Sequence, residues 1–167
     1  MELWDLYDRD RRIIGAHTRG EPLPTGGYHL VVHVWIKNRA GEYLISQRAA
    51  DRPSYPLWWE TTGGSVLQGE TSLQGALRET KEEVGVDLDP AAGRLLFSRR
   101  REELHDFLDV WLFDHDGPAD PRNATTAEVA QARWMTPKEI RELEDKGLFV
   151  PTLIYFFEFE KVGESYG

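Results

Sequence analysis

The stretch GGSVLQGETSLQGALRETKEEVG, Gly63 to Gly85, constrains the fold more than any other part of the chain. Its middle is a helix with both ends marked. Thr71 can cap the start, with Gln74 three residues on as its capping-box partner. Gly85 stands where a left-handed residue closes a helix. At about 100° per residue, Leu73, Ala76, Leu77, Thr80 and Val84 fall on one stripe. That stripe must be buried against another element. Glu79, Glu82 and Glu83 fall together on a second arc, with Gly75 among them. Read alone, such an arc is a solvated face with an Arg78–Glu82 pair at i,i+4. Two details argue otherwise. The glutamates border the core stripe instead of opposing it. Gly75 costs about 1 kcal/mol against alanine in mid-helix, which is easier to account for if something approaches the backbone on that face. Clustered carboxylates beside a glycine loop suit a hard divalent cation; Mg²⁺ fits best if it shares substrate phosphates.

The rest of the chain supplies the surroundings. Residues 2–18 read as two short strands around the polar turn Asp8–Arg11, and 19–27 as loop. HLVVHVWI (29–36) is a buried strand, NRAG a turn, and EYLISQR (42–48) the second arm of a hairpin. Residues 49–62 are an aromatic loop. Strands are expected over 94–100, 107–114 and 132–135. A helix over 136–147 has Thr136, Pro137, Glu139 and Gly147 at its capping positions. A last helix begins at Pro151, within the segment 148–167. Strands interleaved with helices predict one layered α/β or α+β domain over residues 1–167.

Composition removes several function classes. The chain has no cysteine, so disulfides, thiolate metal ligands and thiol catalysis are excluded. The net charge of −9 argues against binding a nucleic-acid backbone. No run of about 18 apolar residues predicts a membrane span. The start, MELWDLYDRD, lacks the pattern of a signal peptide, which points to a cytoplasmic chain.

Gly64, Glu70, Arg78, Glu79, Glu82, Glu83, Gly85 and Val86 have the spacing of the Nudix box, with Thr80 where an aliphatic residue is usual. HVWIKNRAGEYLISQR before the box and EVAQARWM after it resemble the family's flanking strands. The likeness covers about residues 28–145. This resemblance implies an α/β Nudix fold, a mixed sheet sandwiched between helices (α/β/α), here with an N-terminal β-hairpin. It also implies hydrolysis of a diphosphate linked to some group, in a nucleoside diphosphate or a nucleoside diphosphate joined to a further moiety. Glu79, Glu82 and Glu83 would ligate Mg²⁺ or Mn²⁺, with Gly64 giving a carbonyl or shaping the loop. Arg78 would orient a glutamate and Glu70 would support it. Glu79 and Glu128 are both candidates for the general base.

The loop before the box carries candidate substrate contacts: Arg48, Arg52, Tyr55 and Trp58. Arg suits phosphate oxygens and an aromatic ring can stack on a base. Arg48, ending a strand that leads toward the box, ranks above Arg52, and Trp59 is assigned to the core. Arg99–Arg101 read as an exposed turn paired with Glu102 and Glu103. His29 and His33 share one strand face as packing residues. LIYFFEF packs on the core; a pocket cover or a homodimer contact are its alternatives.

Two rival functions follow from the same residues. The outer strands also resemble isopentenyl-diphosphate isomerase, which shares the fold but needs a cysteine and a histidine before the box helix. Gly63 and Ser65 stand there instead. The other rival, a non-catalytic binding module, is at odds with an intact set of four box glutamates.

Overall fold

The computed structural model describes residues 1–160; the end of the expected C-terminal helix, residues 161–167, lies outside the described residues. The main elements are β1 (Leu3–Tyr7), β2 (Ile13–Thr18), β3 (His29–Lys37), β4 (Tyr43–Arg48), β5 (Trp59–Glu60), β6 (Thr62–Ser65), α1 (Ser72–Val84), β7 (Gly93–Arg101), β8 (Asp106–Asp114), β9 (Val129–Met135) and α2 (Pro137–Asp145).

β3 organises the sheet. It runs parallel to β8 from His29↔Asp106 to Lys37↔Asp114 and antiparallel to β6 from Val31↔Ser65 to Val34↔Thr62. Beyond β8 lies β7. Beyond β4 lie β5 and β9. β1 and β2 form their own two-stranded sheet.

Alternation along β3 builds two cores. Leu30, Val32, Val34 and Ile36 face α1, with Ala76, Val84 and Val86. Trp35 faces the other side, with Ile45, Ile140, Phe149 and Phe156. The sheet is thus covered on both faces, an α/β/α sandwich as expected.

Several local expectations change. β3 and β4 pair only at Lys37↔Tyr43. Past that point they separate, so that β6 can pair with β3 while β5 and β9 pair with β4. The Gly63–Gly64 pair is not loop but the middle of β6, and β5 emerges from the aromatic loop. Arg99–Arg101 belong to β7, where Arg101 makes a buried pair with Asp106 at 2.7 Å. The C-terminal segment opens as a 3₁₀ turn, Pro151–Leu153, and is α-helical from 156 to 160, the last described residue. Its Phe156 and Tyr155 are buried in the second core. Among the described residues no helix is long and apolar enough to cross a membrane.

Candidate active site

α1 starts and stops where its caps dictate. Thr71 Oγ1 accepts from Gln74 N, and the Gln74 side chain accepts from Thr71 N. Gly85 closes the helix at φ 68°. Burial of Ala76, Thr80 and Val84 then fixes the rotation of the helix and turns the glutamate arc toward β6. The hydroxyl of Thr80 donates to Ala76 O, which satisfies it inside the core.

β6 receives the glutamates because its glycines leave room. A Cβ on Gly64 would lie 2.4 Å from Glu79 Oε1, so the missing side chain lets that carboxylate reach the backbone. Gly75 has a different cause from the one expected. A Cβ there would lie 2.8 Å from Val66 Cγ2, so the close approach is by a core side chain and not by a ligand.

Arg78 ties the cluster together. Its guanidinium donates to Glu70 at 2.8 and 3.0 Å, to Glu79 at 3.0 Å, to Glu82 at 3.1 Å and to Ser65 O at 2.9 Å. Glu70 also accepts from Leu67 N, which fastens the loop before α1. Glu83 is buried and accepts from Thr62 Oγ1 and, at 3.3 Å, from Gly63 N.

The site carries more negative charge than its arginines neutralise. Burial pushes the Glu79 carboxyl up to about 7, against the pull of Arg78 and with Glu82 and Glu128 adding to the rise. Burial, then Glu79 and Glu60, hold Glu83 well above the usual carboxylate range. Among the described residues no three acidic or histidine side chains converge as an ion would require; Arg78 bridges Glu79 and Glu82 instead. The donor set still fits a hard dication. It is all oxygen, it is short of positive charge, and the side chain of Glu82, 34% exposed, has Arg78 as its one ion-pair partner among the described residues.

Gly64, Arg78, Glu79, Glu82, Glu83 and Glu128 share one cavity of about 270 Å³. Arg52 is on its wall, paired with Glu128 at 3.1 Å. Arg48, expected nearer the site than Arg52, is held by Glu60 and Ser54 O and reaches only the flanking cavities. One of these, about 250 Å³, shares Arg52, Gly63, Gly64 and Glu83 with the first; His33, Val150 and Leu153 line it. Tyr55 and Trp58 pack on each other at 4.9 Å and line none of these cavities. Trp59 is in the core. His33 bonds to Tyr155, whereas His29 stacks on Trp4.

Glu2, Arg19 and Thr126 also line the main cavity, and no sequence signal marked them. They arrive from segments remote along the chain, with no motif of their own.

A sheet between helices, with a carboxylate helix laid against a glycine strand, defines a class of phosphoanhydride-cleaving folds. The NUDIX domain model matches residues 27–153, and the chain belongs to the Nudix family, as a hydrolase of phosphoric anhydrides. An uncharacterized Nudix hydrolase of Listeria monocytogenes is 41% identical over 159 residues, 94% of this chain and 91% of that one. A crystal structure from Deinococcus radiodurans shares the fold with a TM-score of 0.73, at 23% identity over 89% of this chain and 92% of that one. So does a bifunctional NMN adenylyltransferase/ADP ribose pyrophosphatase of Francisella tularensis, crystallised with AMP and a manganese ion. Its TM-score is 0.60 at 18% identity, over 86% of this chain and 43% of that one.

Proposed function

We propose that the carboxylate cavity hydrolyses the diphosphate linkage of a nucleoside diphosphate, or of a nucleoside diphosphate joined to a further group. Glu79, Glu82, Glu83 and the Gly64 carbonyl would hold Mg²⁺ or Mn²⁺. One observation carries this reading: three α1 carboxylates face one cavity across a glycine strand, with Glu79 pushed up to about 7 by burial. The manganese in the Francisella structure lends support to a divalent ion.

Such an ion, when bound, polarises phosphoryl oxygens and lowers the pKa of water. The protein groups do the rest. Arg78 keeps Glu79 and Glu82 at fixed separation through its two contacts. Glu79 accepts the proton of the attacking water, with Glu128 across the cavity as the alternative base. Arg52, whose Nε lacks a partner among the described residues, offers a guanidinium to a substrate phosphate.

The isomerase reading lacks its residues. A Cβ at Gly63 would lie 2.5 Å from Val32 O, so no reactive side chain has room there. A binding module would be indifferent to a change in Glu82. The test is phosphate release from nucleoside diphosphates, triphosphates, dinucleotides, nucleotide sugars and prenyl diphosphates, with Mg²⁺, Mn²⁺ or EDTA. Metal-dependent turnover of one class, reduced about 100-fold or more in Glu82→Gln, is expected. Turnover that survives in EDTA, or in that variant, would refute the assignment.

A further inference from the structure

Three arginines reach the carboxylate cavity, and they differ in what they would leave behind. Arg78 serves Glu70, Glu79 and Glu82; moving it would strand half-buried carboxylates without a cation. Arg52 has its Nε open to a phosphate, but it is only 27% exposed, and turning toward a ligand would leave Glu128 unpaired. Arg19, just after β2, is 59% exposed and has one acidic partner, Glu2, at 3.1 Å. Glu2 also accepts from Trp4 Nε1 at 3.0 Å. It therefore keeps a donor, and solvent, if Arg19 turns away. Arg19 is the cation that exchanges a protein carboxylate for a substrate anion at least cost.

Both groups belong to the β1–β2 hairpin, outside the matched residues 27–153. That hairpin is fastened to the core and to the loop before α1. Gln68 N donates to Leu3 O at 2.9 Å, and Gly69 N to Asp5 Oδ2 at 3.0 Å. Arg11 donates to both oxygens of Asp109, at 2.7 and 2.6 Å, and Trp4 stacks on His29 at 4.2 Å. Arg19 N itself donates to Glu2 O at 3.0 Å, which fixes the backbone from which both side chains project. A guanidinium on so fixed a base meets a ligand without any loop closing.

We propose that Arg19 is a substrate-binding residue: it takes non-bridging oxygens of the substrate diphosphate at the cavity mouth, and Glu2 is the resting partner that the substrate displaces. This rests on the pyrophosphohydrolase reading above. It makes the two members of one ion pair act with opposite sign. Arg19→Ala removes the donor, whereas Glu2→Gln releases it. A pair that only held the hairpin would weaken in one direction from either side.

The experiment combines kinetics on the substrate class turned over best with calorimetric titration of methylenediphosphonate, which is not hydrolysed, in Mg²⁺. Arg19→Ala is expected to weaken binding and raise KM by about tenfold, with kcat moving far less, and Arg19→Lys to recover part of the loss. Glu2→Gln is expected to tighten both by about threefold. Shifts of the same sign in Arg19→Ala and Glu2→Gln, or none in either, overturn the assignment. A wild-type protein that turns over nothing overturns the hydrolase reading instead, while the titration, needing no turnover, still decides the role of Arg19.

Discussion

Gly63 and Gly64 are neighbours that exclude a side chain for different reasons. At Gly63 the obstacle is backbone: Val32 O, 2.5 Å from where a Cβ would sit, on the strand paired with it. At Gly64 it is the tip of Glu79. Gly63→Ala must push two paired strands apart and is expected to cost about 1–3 kcal/mol. Gly64→Ala need only swing a flexible carboxylate aside, so stability should change by less than about 1 kcal/mol. Displacing Glu79 should nonetheless lower turnover about 100-fold. Urea midpoints and steady-state rates on both variants read the two effects separately; a Gly64→Ala protein with full activity would remove Glu79 from the chemistry. The glycine pair was visible in the sequence, but its meaning was not. Two adjacent glycines look like a turn until β3 is known to lie alongside. Gly75 misled in the same way, because Val66, which needs its space, belongs to the loop before α1 and gave no local sign of its direction.

At the scale of elements, what was legible was what neighbours in sequence decide. Both α1 and α2 carry capping boxes whose partners stand three residues apart, and both formed as read. The hairpin of β3 and β4 was legible only at its closed end. Its divergence is set by β6, β8 and β9, which arrive from far along the chain. Thr80 shows how an element can carry one unusual residue within a motif. Fully buried, it faces the first core, and its hydroxyl is spent on Ala76 O one turn back. That bond adds little, since the carbonyl already has its helical N–H. Thr80→Val keeps the shape and replaces the hydroxyl with a methyl suited to a fully buried position. Stability is expected to rise by about 0.5–1 kcal/mol, seen as a Tm higher by about 1–4 °C, with turnover unchanged. A fall in Tm would mean that the hydroxyl has a structural duty beyond its own helix.

Across the whole molecule, the C-terminal segment closes the second core over the sheet, and one hydrogen-bonded chain fastens it there. Trp35 Nε1 donates to the Tyr155 hydroxyl at 2.9 Å. The same hydroxyl is hydrogen-bonded to His33 Nδ1 at 2.8 Å. Burial, with Arg101 adding to it, pushes the His33 pKa down to about 3. The unfolded chain binds this proton near pH 6.5. Between about 6.5 and 3 the unfolded state holds more proton than the native one, so the free energy of unfolding falls as pH falls and is flat above that window. One such group contributes a slope of about 1.4 kcal/mol per pH unit at most. Glu79 works with the opposite sign. Its carboxyl, pushed up to about 7, is protonated first in the native state, so it adds stability as pH falls from 7 toward its unfolded value. The wild-type profile is therefore a sum, and the informative quantity is a difference. His33→Gln keeps an acceptor for Tyr155 but does not titrate. Urea unfolding at pH 8, 7, 6 and 5 is expected to show a constant gap between the two proteins down to about pH 6.5, then a gap that moves steadily in favour of the variant. Parallel profiles through pH 5 would mean that His33 keeps its proton in the fold, and that burial does not depress its pKa.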